Sequence, residues 1–180
     1  MIRLNDAPDA ATVEKIRELY EAAFPKSEKK PFALMVEKVG AGLMEMIAVE
    51  DGEGEFYGLA ITVLHSDIML LDYFAIAENK RGRGVGTEVL SLLRERYSDK
   101  RFILEVEDPD EVGAQNREER VRRLGFYLRC GLSPLPMTIS LFGVQMKLLC
   151  GGRVVNFEEY HEIFGAVFSE WAAKNVWLIE

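Results

Sequence analysis

Cysteine is scarce: Cys130 and Cys150 are the only two. They form neither a disulfide framework nor a metal-ligand spacing, and no metal is expected. Histidine is equally scarce, with His65 and His161 both far from Cys130 in sequence. Cys130 therefore reads either as a nucleophile or as a small buried hydrophobe. No Gly-x-Ser-x-Gly occurs, so the hydrolase elbow is absent. No His-Glu-x-x-His occurs, so a zinc protease has no support. No run approaches the ~18 apolar residues of a membrane span. The opening Met1-Ile2-Arg3-Leu4-Asn5-Asp6 lacks a signal-peptide core, which predicts a cytoplasmic protein with no membrane partner. Lys and Arg total 22 against 30 Asp and Glu, a formal charge of -8. A generic nucleic-acid binder carries the opposite balance, so no nucleic-acid partner is expected.

What is present suits a globular protein. Apolar residues make up 48% and charged residues 29% of 180. That length fits one domain with an appendage, and a chain of ~150 residues hides ~70% of its unfolded surface. The basic residues cluster. Lys80, Arg81, Arg83, Arg117, Arg120, Arg122, Arg123 and Arg129 place 8 of the 22 within 80–83 and 117–129. An even spread would place about 2 there. Basic islands in an acidic chain point to a local anionic ligand, or, for the second island, to a solvated helix face.

Periodicity orders the elements. Leu4 sits in a short strand. Val13, Ile16, Tyr20 and Phe24 predict a helix over roughly 9–24. A charged linker between Pro25 and Pro31 leads to a helix at 32–39 with Phe32, Met35, Val36 and Val39 on one side. The run 43–50 reads as a strand, and Asp51-Gly52-Glu53-Gly54 as a hairpin turn. Strands follow at 55–64 and 68–76, a helix at 85–97 and a strand at 101–107. An Arg-rich helix at 116–130 turns Val121, Leu124 and Leu128 inward. Two strands, 137–142 and 144–149, follow Pro134 and Pro136. In the tail, Asn156 and Glu159 have capping-box spacing. Phe157, Tyr160, Phe164, Val167, Phe168 and Trp171 then recur at helical intervals. Residues 151–180 are thus expected to be a helical extension beside a domain at 1–150, packed on that domain or forming a homodimer interface.

The informative stretch runs from Leu70 to Glu88. The strand Leu70-Leu71-Asp72-Tyr73-Phe74-Ala75-Ile76 passes through a polar connector to Arg81-Gly82-Arg83-Gly84-Val85-Gly86-Thr87, which opens a helix. A glycine-rich loop at a helix N-terminus is an anion cradle: free N–H groups point outward and the helix dipole adds positive charge. Arg81 and Arg83 add full charges. Gly86-Thr87 lacks the lysine of a Walker loop, and neither Gly82-x-Gly84-x-x-Thr87 nor Gly84-x-Gly86-x-x-Val89 completes the dinucleotide fingerprint. A bare turn accounts for the glycines but not for the two arginines.

Arg81-x-x-Gly84-x-Gly86, after a strand ending Phe74-Ala75-Ile76, resembles the acetyl-CoA signature of the GNAT acetyltransferase superfamily. The element order is similar to that family's topology. Phe126-Tyr127-Leu128-Arg129-Cys130-Gly131-Leu132 resembles its late Phe-Tyr-x-x-x-Gly-Phe, with Leu132 in place of the last Phe. Phe24-Pro25 followed by Lys29-Lys30 resembles acceptor-side segments of some bacterial members. Many members carry Asn seven residues before the tyrosine; here Arg120 stands at that offset and Asn116 eleven residues back. The resemblance covers about 1–150. It implies an α/β fold of mixed α+β type, with a central mixed sheet that splays between the strands at 68–76 and 101–107 and is flanked by helices. It also implies acetyl-CoA as cosubstrate, with the pantetheine arm pairing to the backbone of Phe74 and Ile76. The pyrophosphate would sit on the amides of Arg81, Gly82, Arg83, Gly84, Val85, Gly86 and Thr87, and a backbone N–H near Phe74 or Ala75 would polarise the thioester carbonyl.

Chemistry asks for two further groups. Deprotonating a lysine-like amine at neutral pH costs roughly 4.6 kcal/mol, so a carboxylate is needed to take the proton. Asp72 and Glu105 are the candidates, on the strands at 68–76 and 101–107. Each reads equally as a solvated edge carboxylate or a structural hydrogen-bond partner. Tyr127 resembles the family's general acid toward the thiolate; Arg120, Arg123 or Arg129 could lower its pKa, and a hydrogen bond to the developing sulfur charge would help even without that. Three residues after Leu124, at the margin of an apolar stripe, Tyr127 also reads as a core tyrosine. The expected activity is acetyl transfer from acetyl-CoA to a primary amine, borne by a small molecule or a protein. The alternative is a catalytically silent acyl-CoA-binding module, which needs the glycine loop but not Tyr127.

Overall fold

A computed structural model describes residues 1–179. In chain order the elements are β1 (Ile2–Asn5), α1 (Ala10–Ala23), α2 (Phe32–Gly40), β2 (Met44–Asp51), β3 (Phe56–His65) and β4 (Ile68–Ile76). Then come α3 (Val85–Arg96), β5 (Arg101–Glu107), α4 (Arg117–Arg129), β6 (Ser133–Leu141), β7 (Val144–Cys150), α5 (Phe157–Ile163), α6 (Glu170–Lys174) and β8 (Val176–Leu178). The strands form one mixed sheet of order β1-β2-β3-β4-β5-β7-β6-β8. The α3 crossover lies between β4 and β5, the connection that a parallel pair needs. Helices flank the sheet, as the α/β reading expects. The chain divides into two units, one of Met1–Leu64 with Leu71–Ser98, the other of His65–Leu70 with the residues from Asp99 onward. Strand β4 belongs to both.

In the first unit, the continuously buried runs of β2 and β3 and the inner stripes of α1, α2 and α3 make the core: Ile16, Tyr20, Met35, Ile47, Leu59, Ile61, Val89 and Leu93 are essentially inaccessible. Asp9 caps α1 by accepting the Thr12 N–H at 2.8 Å, which satisfies one of the orphan donors of the first turn. In α2 only Met35 is buried, and Val36 is exposed, because so short a helix buries a single ridge. Helix α3 is fixed at both ends. Glu88 accepts the Ile2 N–H. At the other end Arg96 pairs with Asp6 and Glu45, and Tyr97 bridges Glu45 and Thr62. The Asp51 carboxylate accepts the N–H groups of Glu53 and Glu55 and closes the β2–β3 turn.

In the second unit, β5, β7 and β6 are antiparallel neighbours. The α4 stripe expected from Val121, Leu124 and Leu128 is not the inward one. Val121 and Leu128 are exposed, while Arg120 and Tyr127 are buried. Charge neutralisation, described below, lets an arginine take the inner position. β6 begins at Ser133, not 137: its register shifts between Pro134 and Thr138, and that irregularity accommodates two prolines inside a strand.

The tail holds more than helix. The capping box at Asn156 and Glu159 is present. Tyr160, Phe164 and Val167 are buried, which agrees with a packed helix. A π-turn at Phe164–Phe168 breaks the helical repeat, and Trp171 emerges exposed. The chain then adds β8 antiparallel to β6, a strand that three residues could not signal in sequence.

Gly58 on β3 sits so close to β4 that a methyl group there would lie 2.3 Å from the Ala75 carbonyl oxygen. G58A is expected to cost at least ~2 kcal/mol, read as a lowered midpoint in denaturant unfolding, whereas alanine at open Gly40 leaves it nearly unchanged.

Candidate functional site

The first unit carries the strand end and the loop. On β4, Leu71, Tyr73 and Ala75 are buried, while Asp72, Phe74 and Ile76 are half-buried. The Asp72 side chain itself is only 3% exposed, so the exposure of that residue lies in its main chain. Accessible strand backbone is the surface to which an extended ligand adds as another strand. Beyond it a 3₁₀ turn (Glu78–Lys80) leads into the loop. Lys80 leans over the Tyr57 ring and pairs with Glu55, and so belongs to β3 rather than to the loop. Arg81 turns back to donate to the Ile76 carbonyl at 2.9 Å. Arg83 is exposed and has no hydrogen-bond or ion-pair partner among the described residues.

Gly82 and Gly84 have φ of +83° and +75°, with open space where a side chain would stand. Backbone conformation, not crowding, demands glycine there. Gly84 is the N-cap of α3 and offers no side chain to cap it. The dipole end of a twelve-residue helix thus faces outward beside an unpaired arginine, with room for an anion to approach. Arg81 to Gly84 and Thr87 are exposed and Gly86 is half-buried, but Val85 is buried, so Val85 can contribute only its main chain.

A strap crosses the same strand. The Tyr73 hydroxyl donates to the Glu28 carbonyl at 2.7 Å and accepts the Lys30 N–H at 3.1 Å. Tyr20 donates to the Lys30 carbonyl at 2.8 Å. The Tyr20 and Phe24 rings meet the Tyr73 ring nearly edge-on at 4.8 and 5.0 Å. Lys30 reaches the Asp72 carboxylate, with Nζ at 2.7 and 2.9 Å from its two oxygens. Asp72 is thus neither a solvated carboxylate nor an unpaired one. Sequence reading singled out Lys29-Lys30 and Asp72 separately; their pairing, and the part of Tyr73 and Tyr20, had no signal in the spacing.

The second unit carries Tyr127 and Glu105. The ring of Tyr127 is buried, and the residue is 8% exposed. Its hydroxyl has no partner among the described residues, yet no buried side-chain oxygen or nitrogen there lacks one. The hydroxyl therefore keeps some contact with solvent. Burial pushes Tyr127 up to about 12, and Arg123 only partly opposes this. That reverses the sequence expectation of a lowered value: arginines spent on other partners have little effect on a phenol inside apolar surroundings. Glu105 accepts the Tyr160 hydroxyl at 2.5 Å, a bond reaching it from the tail.

The arginine island of α4 is neutralised from within. Glu107, 6% exposed at its side chain, pairs with Arg120 and Arg123 at 2.8 Å each. Arg120 also meets Glu111 at 2.5 Å, and Asn116 bridges Arg120 to Glu107. The acidic residues at 107, 108 and 111 were the available sequence signal that this island is internal. Among the described residues no group of three or more His, Cys, Asp or Glu side chains could hold a metal ion, and Cys130 and Cys150 form no disulfide. No helix among them is long and apolar enough to cross a membrane.

No family model and no curated protein matches the chain. Solved structures do. A Bacteroides thetaiotaomicron protein assigned to the GNAT acetyltransferase family superimposes with a TM-score of 0.77 at 20% identity, over 96% of this chain and 98% of that one. The chain has the GNAT acetyltransferase fold. A second GNAT-family structure, from Desulfovibrio desulfuricans, gives 0.63 at 14% identity over 83% and 98%. The Vibrio cholerae spermidine N-acetyltransferase, solved with CoA and spermine, gives 0.63 at 13% over 88% and 97%. The 96% coverage carries the GNAT likeness into the last thirty residues, beyond the reach of the sequence resemblance.

Two outcomes follow for stability. R120M leaves Glu107 and Glu111 short of a buried partner and should cost ~3 kcal/mol in chemical denaturation, against under ~0.5 kcal/mol for R122M at an exposed position. Burial alone would raise the Asp108 carboxyl, but the Asp110 N–H, the Gln145 amide and the Lys147 ammonium outweigh it and hold it below its usual value. The folded form thus releases this proton more readily than the unfolded one. Its contribution is present above the unfolded carboxylate value and lost as pH falls through the folded one. D108N should lose roughly 2 kcal/mol at neutral pH, and the gap to the native chain should close on acidification below about 4.

Proposed function

We propose that this protein is an N-acetyltransferase that moves an acetyl group from acetyl-CoA to a primary amine within a ternary complex. The observation that carries the reading is the half-buried end of β4, Phe74 and Ile76, running into an uncapped loop of positive-φ glycines. The strand backbone of Phe74 and Ile76 takes the pantetheine amides. The amides from Arg81 to Thr87, with the free Arg83 guanidinium, take the pyrophosphate. The N–H of Phe74 or Ala75 polarises the thioester carbonyl.

Proton traffic sets the other roles. Asp72 already holds the Lys30 ammonium, so the proton of an external acceptor is assigned to Glu105, which Tyr160 orients. Tyr127 is the partner of the leaving sulfur. With its hydroxyl pushed up to about 12 and a thiol near ~8.5, complete proton transfer would be uphill by roughly 5 kcal/mol. Tyr127 therefore acts by donating a hydrogen bond to the developing thiolate, and solvent completes the protonation. A silent acyl-CoA-binding module would need the loop, but would have no use for a tyrosine hydroxyl kept without an internal partner. The acidic chain favours a cationic acceptor, a small-molecule or a protein amine; spermine in the Vibrio cholerae structure agrees with that class. A homodimer, if the chain forms one, has Phe142, Trp171, Trp177 and Leu178, all exposed, to build on.

Y127F should lower kcat by about 30-fold, the loss of one charge-assisted hydrogen bond of roughly 2 kcal/mol, with CoA affinity in calorimetry unchanged. G84A, which forces a side chain into a left-handed conformation, should instead weaken CoA binding by about tenfold. E105Q should remove the acidic limb of the pH–rate profile. Absence of any CoA heat at millimolar ligand, or of thiol release with a broad amine panel, overturns the reading.

A further inference from the structure

Lys30 and Asp72 form a pair that the proposed transfer to an external amine does not use. A primary amine lies in hydrogen-bond reach of a carboxylate, with Nζ at 2.7 and 2.9 Å from the two oxygens. That is the arrangement of a nucleophile beside its base. The lysine is not loosely placed. Its N–H is held by Tyr73 and its carbonyl by Tyr20, so the amine can range only over the length of its own side chain. Its ammonium also lies 5.1 Å from the centre of the Tyr73 ring. Of the two partners Asp72 is the enclosed one, at 3% exposure, and Lys30 retains 19%. Asp72 shares a face of β4 with Phe74, two residues along, a distance of roughly 7 Å.

We infer that Lys30 is an internal acceptor, a modification site acetylated by the chain's own acetyl-CoA. The inference rests on the acyl-CoA reading above. The Lys30 ammonium gives one proton to the Asp72 carboxylate. The freed nitrogen lone pair bonds to the acetyl carbonyl carbon, the carbon–sulfur bond breaks, and its electron pair leaves on the CoA sulfur. The second nitrogen proton and the one on Asp72 account for the thiol proton and one proton released to solvent. The amide so formed is neutral, so the ion pair to Asp72 is lost. One end of the strap over β4 then lacks its charged anchor, and Asp72 is open to a cationic acceptor. Modification would thus change the acceptor side of the site without touching the loop.

The native protein is incubated with acetyl-CoA and no added amine, and each lysine is followed by peptide mass mapping, with CoA binding measured on the same sample by calorimetry. Lys30 should gain one acetyl group at least tenfold faster than the exposed Lys15, Lys26 and Lys174, which report chemical acetylation alone. D72N should slow Lys30 by about 100-fold without changing the exposed lysines, and K30R should take up no acetyl group at that position. Binding of acetyl-CoA with Lys30 modified no faster than Lys15 overturns this inference and leaves the acyl-CoA reading standing. Equal rates at Lys30 in the native protein and D72N overturn the role of Asp72. No binding overturns the inference and the reading together.

Discussion

A strand proposed to offer its main chain to a ligand along one edge must be held rigidly along the other. β4 meets this demand at Gly58, where β3 approaches the Ala75 carbonyl more closely than any side chain would permit. Tyr57 then accepts the Ala77 N–H at 2.9 Å and keeps that contact going past the strand end. The direction in which the chain leaves β4 is fixed there, and the glycine loop inherits it. Fixing both ends of α3 completes the frame, because a helix dipole serves an anion only if the helix end stays where the anion arrives. Most of the chemistry proposed for the first unit therefore depends on one missing methyl group.

Local pattern revealed much of the fold. Apolar runs and the polar or turn residues between them place β2, β3, β4 and β5 within a residue or two of the observed bounds, because each is a half-buried or buried run with polar residues at its ends. The misses share a cause. Val121 and Leu128 look like an inner stripe by hydropathy, yet Arg120 is the buried residue, because Glu107 and Glu111 come from elsewhere in the chain to neutralise it. Ser133 to Pro136 looks like a loop, yet a register shift accommodates the prolines. β8 is too short to carry periodicity. In each case a distant partner outweighs a local preference, and spacing along a chain does not record such partners.

The site divides in the same way. The loop was legible because its requirement is local: positive φ and uncapped amides need glycine at particular positions. The roles of the ionisable groups were not. Tyr127 lies among arginines in sequence, which suggests an acidic phenol, yet these arginines belong to a buried network and burial decides its proton affinity. Asp72 alternates onto an open face, yet its charge is already met by a lysine forty-two residues earlier. Glu105 depends on Tyr160, supplied by a tail that the sequence resemblance did not reach.

The tail also bears on the order of synthesis. β8 follows the other described strands in the chain, and it is the one that pairs with the outer edge of β6. Until it leaves the ribosome, the nascent sheet presents bare N–H and C=O groups along 138–141. Such an edge pairs readily with other chains. The three residues of β8 thus cover, late and at small cost in length, an edge on which an unfinished sheet is open to pairing with another chain.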